Sequence, residues 1–181
     1  MRTPQRPLRA DARRNHERIL TAARETFTES GPEASLNEIA RRAGVGPGTL
    51  YRHFPTRNAL LTAVLMDRVE RLCAQAEHLL ATASPAEALA EWLHAFLVHA
   101  STGHGLGSAL MTADPADDCH RAIEQALASL LTRAQRSAAA RPDLTPDDLL
   151  KLVTGIALAT RTTTDPAQPT RMLALVLDAT R

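Results

Sequence analysis

The sequence predicts an all-α chain, and three observations carry that expectation. Only five of its 181 residues are aromatic, while Ala and Leu are abundant. Apolar residues recur at spacings of three and four, the period of a helix face. A capping residue, a proline and an acid repeat in that order at several points, and no alternating stretch reads as a strand. About nine helices are expected, with no internal repeat.

Residues 1–12 read as a disordered basic arm, with Pro4, Pro7 and three arginines and little to bury. A helix is expected from about Asn15 to Ser30, because Ile19, Leu20, Ala22, Ala23 and Phe27 share one face and Gly31-Pro32 ends it. Ser35 and Glu38 form a capping-box signature ahead of Ile39, Ala40 and Ala43, and Gly44 stops that second helix after two turns. A short third helix covers about Gly48 to Phe54. Thr56 caps a fourth, which carries Leu60, Leu61, Val64, Leu65, Val69, Leu72 and Ala76 as far as about Ala81. Ser84-Pro85 with Glu87, Asp114-Pro115 with Asp117, and Thr145-Pro146 with Asp148 mark later starts. Gly103, Gly105 and Gly107 break the middle of the chain around a short segment from Leu106 to Ala113. Asp165-Pro166 opens the last helix unless Pro169 delays it.

Charge is unevenly placed. Residues 1–60 hold 11 arginines and 6 acids, whereas residues 61–181 hold 10 basic and 14 acidic residues. A basic end on an acidic body points to a polyanion-binding end. No apolar run approaches the roughly 20 residues a membrane span needs. The N-terminus lacks the apolar core of a secretory signal. Cys73 and Cys119 form no metal-ligand or CxxC pattern, so free thiols in a reducing cytoplasm are expected. His94, His99 and His104 are spaced by five, which scatters them around a helix, so no metal site and no cofactor are expected. No nucleophile motif, acid pair or phosphate loop stands out.

The informative stretch is residues 35–57, SLNEIARRAGVGPGTLYRHFPTR, and within it residues 35–54 have helix-turn-helix organisation. On a helical wheel Leu50 and Phe54 point one way, toward Ile39, Ala40 and Phe27. Thr49, Arg52 and His53 point the other way, with Tyr51 on the flank. The outward set is hydroxyl, guanidinium, imidazole and phenol without an acid, which suits phosphates and base edges of a major groove. Pro47 and Gly48 leave the start of that helix unobstructed, Arg57 adds a mobile cation at the same edge, and Ser35 can bond a phosphate. Arg41 and Arg42 read as a solvated face.

In these residues the chain resembles the tetracycline-repressor (TetR/AcrR) family of bacterial transcriptional regulators. The resemblance rests on the Ile19–Phe27 helix, Gly31, Ser35, Ile39-Ala40, Ala43-Gly44-Val45, and above all Gly48-Thr49-Leu50-Tyr51-Arg52-His53-Phe54 with Arg57 and Leu60-Leu61. It covers about residues 13–66. Pro47 departs from it, because members often carry a polar or basic residue there. The resemblance implies DNA contact from Ser35, Thr49, Tyr51, His53 and Arg57. Arg52 joins them on the reading of the wheel, and Gly48 because it leaves the start of the helix free to approach the duplex. It also implies that residues 67–181 form a domain for effector binding and dimerisation.

Periodicity adds a hint of its own about that second part. The helices carrying Leu149, Leu150, Leu152, Val153, Ile156 and Ala157, and Met172, Leu173, Leu175, Val176 and Leu177, are apolar over wide arcs. Such arcs suit a four-helix interface with a second copy, for which Leu149, Val153, Ile156, Met172, Leu173 and Val176 are the candidates, or full enclosure of both helices within one monomer. Candidate lining of an effector pocket is Met66, Trp92, Phe96, His99 and Met111, although Trp92, Phe96 and His99 share one helical face and read first as ordinary core. The expectation is a ligand-responsive repressor that binds palindromic double-stranded operator DNA as a homodimer in the bacterial cytoplasm. Its partners are that DNA, its own second copy and an unidentified small-molecule effector, with no membrane. Two rivals stay open: a helical protein-binding adaptor and an enzyme on a helical scaffold.

Overall fold

The computed structural model describes residues 6–108 and 115–180, and among them eight helices and no strand occur. They are α1 (Arg6–Ser30), α2 (Leu36–Arg42), α3 (Pro47–His53), α4 (Arg57–Thr82), α5 (Pro85–Ser108), α6 (Pro115–Arg136), α7 (Pro146–Ala159) and α8 (Gln168–Ala179). None of them is long and apolar enough to cross a membrane. The described residues divide into two compact units. One holds α1, α2, α3, the start of α4 up to Leu65 and the end of α5 from Gly105. The other begins at Met66 and holds the rest of α4, α5 as far as His104, and α6 to α8.

Two expectations need correcting. Helix α1 begins at Arg6, so residues 6–12 are helical where a disordered arm was expected. Pro7 falls in the first turn, where its missing N–H costs nothing. Arg14 pairs with Asp11, and Arg13 with Glu17 at 3.4 Å, each bridging one turn. Helix α5 continues through Gly103, Gly105 and Gly107 to Ser108, so no separate helix starts at Leu106. Each interior glycine costs only about 1 kcal/mol relative to alanine. Residues 109–113 and Asp114 lie outside the described residues.

Caps account for most of the remaining boundaries. Ser84 and Glu87 close a reciprocal pair at the start of α5, with backbone-to-side-chain distances of 3.2 and 3.4 Å. Thr145 and Asp148 do the same for α7. Thr56 Oγ1 accepts from the Ala59 amide at 3.0 Å ahead of α4. At α8 it is Pro169 that occupies the first turn, and Asp165 instead holds the preceding turn through the Ala167 amide at 2.9 Å.

The first unit has its own core of Ile19, Ala22, Ala23, Phe27, Ile39, Ala40, Leu50, Phe54, Leu60, Leu61 and Val64. The second packs Val69, Leu72, Leu79, Leu89, Trp92, Leu93, Phe96, Leu127, Leu130, Leu131, Leu149, Val153 and Leu173. Trp92 is fully buried and donates its indole N–H to the Leu72 carbonyl at 2.9 Å. Phe96 stacks between Trp92 and His99, with ring centroids 5.7 and 6.0 Å away. At the far end of α6, Arg133 donates to the carbonyls of Ala83 at 2.8 Å and Leu79 at 3.4 Å, tying α6 to the end of α4.

Helix α6 ends with bonds from the Ala138 amide to Gln135 and from the Ala139 amide to Ala134, a Schellman closure that needs a left-handed residue. That residue is Ala138, at φ 55°, where a β-carbon is unfavourable. Ala138→Gly should therefore raise stability by about 1 kcal/mol and the unfolding midpoint by about 2–4 °C, read by thermal denaturation. Burial, with the charge of Arg68 nearby, pushes the His99 imidazole down to about 4. The unfolded chain takes up that proton near pH 6.5, so between those values the unfolded state binds more protons and stability falls as pH falls. Thermal melts from pH 7 to 4 should show a smaller loss in His99→Phe, which keeps the ring stack but does not titrate.

Candidate nucleic-acid interface

Helix α2 starts at Ser35, whose Oγ accepts from the Glu38 amide at 3.5 Å. The expected capping box does not close, because the Glu38 carboxylate turns to two arginines. It accepts from Arg41 Nε at 2.8 Å, Arg41 Nη2 at 2.7 Å and Arg42 Nε at 2.9 Å. Those two cations hold the Glu38 carboxyl at about 2, well below its usual value. Arg42 also reaches Glu29 of α1 at 2.7 Å. The arginine pair remains exposed, as expected of a solvated face, and within it Arg42 joins α2 to α1.

The turn between α2 and α3 is set by Gly44. Its amide bonds the Arg41 carbonyl and the Val45 amide bonds the Ala40 carbonyl, both at 3.0 Å. This Schellman closure places Gly44 at φ 62°, a region glycine occupies without strain. Arg18 of α1 lies where a side chain at 44 would go, and it donates to the Gly44 carbonyl at 3.4 Å.

Helix α3 turns Leu50 and Phe54 inward, with 1% and 4% exposure. Tyr51 is 47% exposed and Arg52 is exposed, while Thr49 and His53 are half-buried. Pro47 and Gly48 are exposed at the start of the helix. The His16 ring of α1 packs on Phe54 at 4.9 Å and meets the His53 ring edge-on at 5.8 Å. Burial, together with His16 and Arg52, pushes the His53 imidazole below the usual histidine range. Ser35, Gly48, Thr49, Tyr51, Arg52 and His53 all belong to the α2–α3 pair or its cap. From Ile39 to Met66 there is no acidic residue.

Arg57 behaves differently from the mobile cation expected of it. Its Nη1 donates to the carbonyls of Pro32 at 2.8 Å and Ala34 at 2.6 Å, and the side chain is half-buried. Sequence spacing gives no hint of this clasp, because its partners are backbone atoms more than 20 positions away.

The residues proposed for effector and dimer also divide. Trp92 and Phe96 are buried in the core, Met66 and His99 are half-buried, and Met111 lies outside the described residues. Leu149, Val153 and Leu173 have no exposed surface, so they are corrected from interface to core: α6, α7 and α8 consume them within one chain. Ile156 is 6% exposed, and Met172 and Val176 are half-buried. The outward apolar residues are instead Leu152, Leu158 and Leu175, at 48%, 45% and 70% exposure. Leu152, Ile156, Met172, Leu175 and Val176, with Asp148 and Lys151 also in the lining, border an open groove of about 850 Å³ between α7 and α8.

Comparison with known proteins gives this geometry a context. Residues 19–64 match the model of bacterial regulatory proteins of the tetR family, and residues 84–181, just over half of the chain, match that of the SbtR-like transcriptional regulator C-terminal domain. A TetR transcriptional regulator from Streptomyces coelicolor, SCO0520, is 40% identical, with 92% of this chain and 98% of that one covered and a TM-score of 0.82. A TetR transcription regulatory protein from Mycobacterium vanbaalenii is 37% identical, with 97% and 99% covered and a TM-score of 0.78. The HTH-type transcriptional regulator UidR of Escherichia coli strain K12 is 39% identical over 69 residues, 38% of this chain and 35% of its own length. The chain thus spans about a third of the length of the curated relatives it matches first. With two short helices joined at Gly44 and both parts matched, the chain belongs to the TetR family of bacterial transcriptional regulators.

Proposed function

We propose that this chain binds double-stranded operator DNA as a homodimer and releases it when a small-molecule effector binds the second unit. The observation that carries the reading is the division of α3. Leu50 and Phe54 anchor it, while Tyr51 and Arg52 stand exposed beside Thr49 and His53 on an acid-free stretch. Phenol, hydroxyl and a largely neutral imidazole donate and accept toward base edges and phosphates, and Arg52 supplies charge. Ser35, at the start of α2, offers a hydroxyl for a flanking phosphate.

One seven-residue helix reads few bases, so a twofold pair on a palindrome follows as the economical arrangement. The exposed leucines and the groove between α7 and α8 support a partner copy at that face, with Leu152, Leu158, Leu175, Met172 and Val176 in place of the buried Leu149, Val153 and Leu173. For the effector, α4 offers a route. It gives Leu60, Leu61 and Val64 to one core, and Val69, Leu72 and Leu79 to the other. Met66 and His99 are the half-buried candidates for lining, with Trp92 and Phe96 packed beside them. A coupling of about 1–3 kcal/mol, from an effector that prefers the DNA-free arrangement, is enough for release.

A gel shift with the DNA upstream of the chain's own coding sequence tests the reading. Tyr51→Ala should weaken binding by about 1–3 kcal/mol. Arg52→Gln should reduce the salt slope of log K by about 0.9 per half-site. Unchanged affinity and slope in both would refute DNA contact by α3. Leu175→Glu should convert the dimer to monomer in sedimentation with helix content unchanged, since the side chain is exposed within one chain.

A further inference from the structure

We infer that Arg57 is a positioning residue, which sets the entry angle of α2 from the first turn of α4 instead of contacting phosphate. This rests on the DNA-binding reading above but assigns Arg57 a role that reading does not contain. The geometry is specific. One guanidinium nitrogen, Nη1, donates to two carbonyls, Pro32 at 2.8 Å and Ala34 at 2.6 Å. These lie in the short connection that leaves α1 at Gly31 and ends at Ser35, the cap of α2.

That connection has few other restraints. The Gly31 amide bonds the Phe27 carbonyl at 3.0 Å and the Ala34 amide bonds the Gly31 carbonyl at 3.2 Å. Those bonds engage the Gly31 and Ala34 amides and the Gly31 carbonyl, whereas Arg57 holds the carbonyls of Pro32 and Ala34. A cation also sits well here, because the carbonyls at the end of α1 carry partial negative charge. For Arg57 to reach DNA, it would have to abandon two charge-assisted bonds and leave two carbonyls of the connection without the donor they now share.

Arg57 is also the first residue of α4, and Leu60, Leu61 and Val64 follow on the core side. Helix α4 therefore grips the two-helix reader in two ways. Its leucines hold the shared core, and its arginine holds the approach to α2. A displacement of the first turn of α4 pulls the connection and turns Ser35 and α2 with it. The charge of Arg57 thus serves to orient the reader, and the charge facing nucleic acid is left to Arg52.

The test compares wild type with Arg57→Gln in the full-length protein, using two readouts. The first needs no DNA. Hydrogen exchange of the amides in residues 33–40 should rise about tenfold or more in the variant, with the amides of Leu60 to Val64 unchanged. The second uses the duplex upstream of the chain's own coding sequence. Affinity at fixed salt should fall about tenfold, while the slope of log K against log salt stays within about 0.3 of wild type. A slope reduced by about 0.9 per half-site, as expected for Arg52→Gln, would overturn the inference and return Arg57 to phosphate contact. Unchanged exchange in residues 33–40 would overturn it too, whatever the DNA result. If wild type fails to bind while exchange rises as stated, the clasp stands and the DNA-binding reading is what fails. Should Arg57→Gln unfold the first unit, Arg57→Lys is measured in the same way. It keeps the charge on a shorter stem, so raised exchange with an unchanged slope supports the clasp, and wild-type exchange overturns it.

Discussion

The inward burial of Leu50 and Phe54 is the constraint on which the reader depends. Helix α3 has seven residues, too few to persist alone in water. Its N-cap, Gly46, contributes no side-chain bond. What fixes it is the removal of two large apolar side chains from water, worth about 1.5–3 kcal/mol each, into a core built by α1, α2 and α4. That same burial decides which residues face outward. Because the inward positions are four apart, the arc between them and beyond holds Tyr51, Arg52 and His53 with little freedom to rotate. Specific presentation of these side chains is thus a by-product of packing.

Polar contacts then refine what packing sets up. Helix α2 is tied to α1 through Arg42 and Glu29, and Glu38 is satisfied by Arg41 and Arg42 on its own helix. These pairs are exposed enough that each contributes little to stability. Their effect is on charge: two of the four arginines between Ile39 and Met66 are neutralised locally, and a third is clasped to backbone. Arg57 keeps its charge against the backbone, and Arg52 is the exposed arginine of α3.

Much of this was legible in the sequence. The two-helix unit could be read because capping residues, glycine and inward apolar pairs all obey local rules, and Leu50, Phe54, Ile39 and Phe27 do meet in one core. Three features could not be read that way. The helical start at Arg6 lies in a run poor in apolar residues, where periodicity carries no signal. The path of α5 through three glycines depends on costs too small to break a helix that is well capped at Ser84. The buried state of Leu149, Val153 and Leu173 depends on the packing of α7 against α6 and α8, which closes one core over all three. A wide apolar arc states that a helix is covered on several sides, without stating by which chain.

The relation between Gly44 and Arg18 has an evolutionary consequence. The space beside the turn is filled by a guanidinium from a residue 26 positions earlier, which also caps the turn's carbonyl. A side chain at 44 would push aside the tip of that flexible guanidinium, at little cost, and would have to accept an unfavourable backbone angle, at a larger one. The backbone angle is the larger restraint and does not depend on residue 18, so position 44 should stay glycine, or at most asparagine, whatever the length of the side chain at 18.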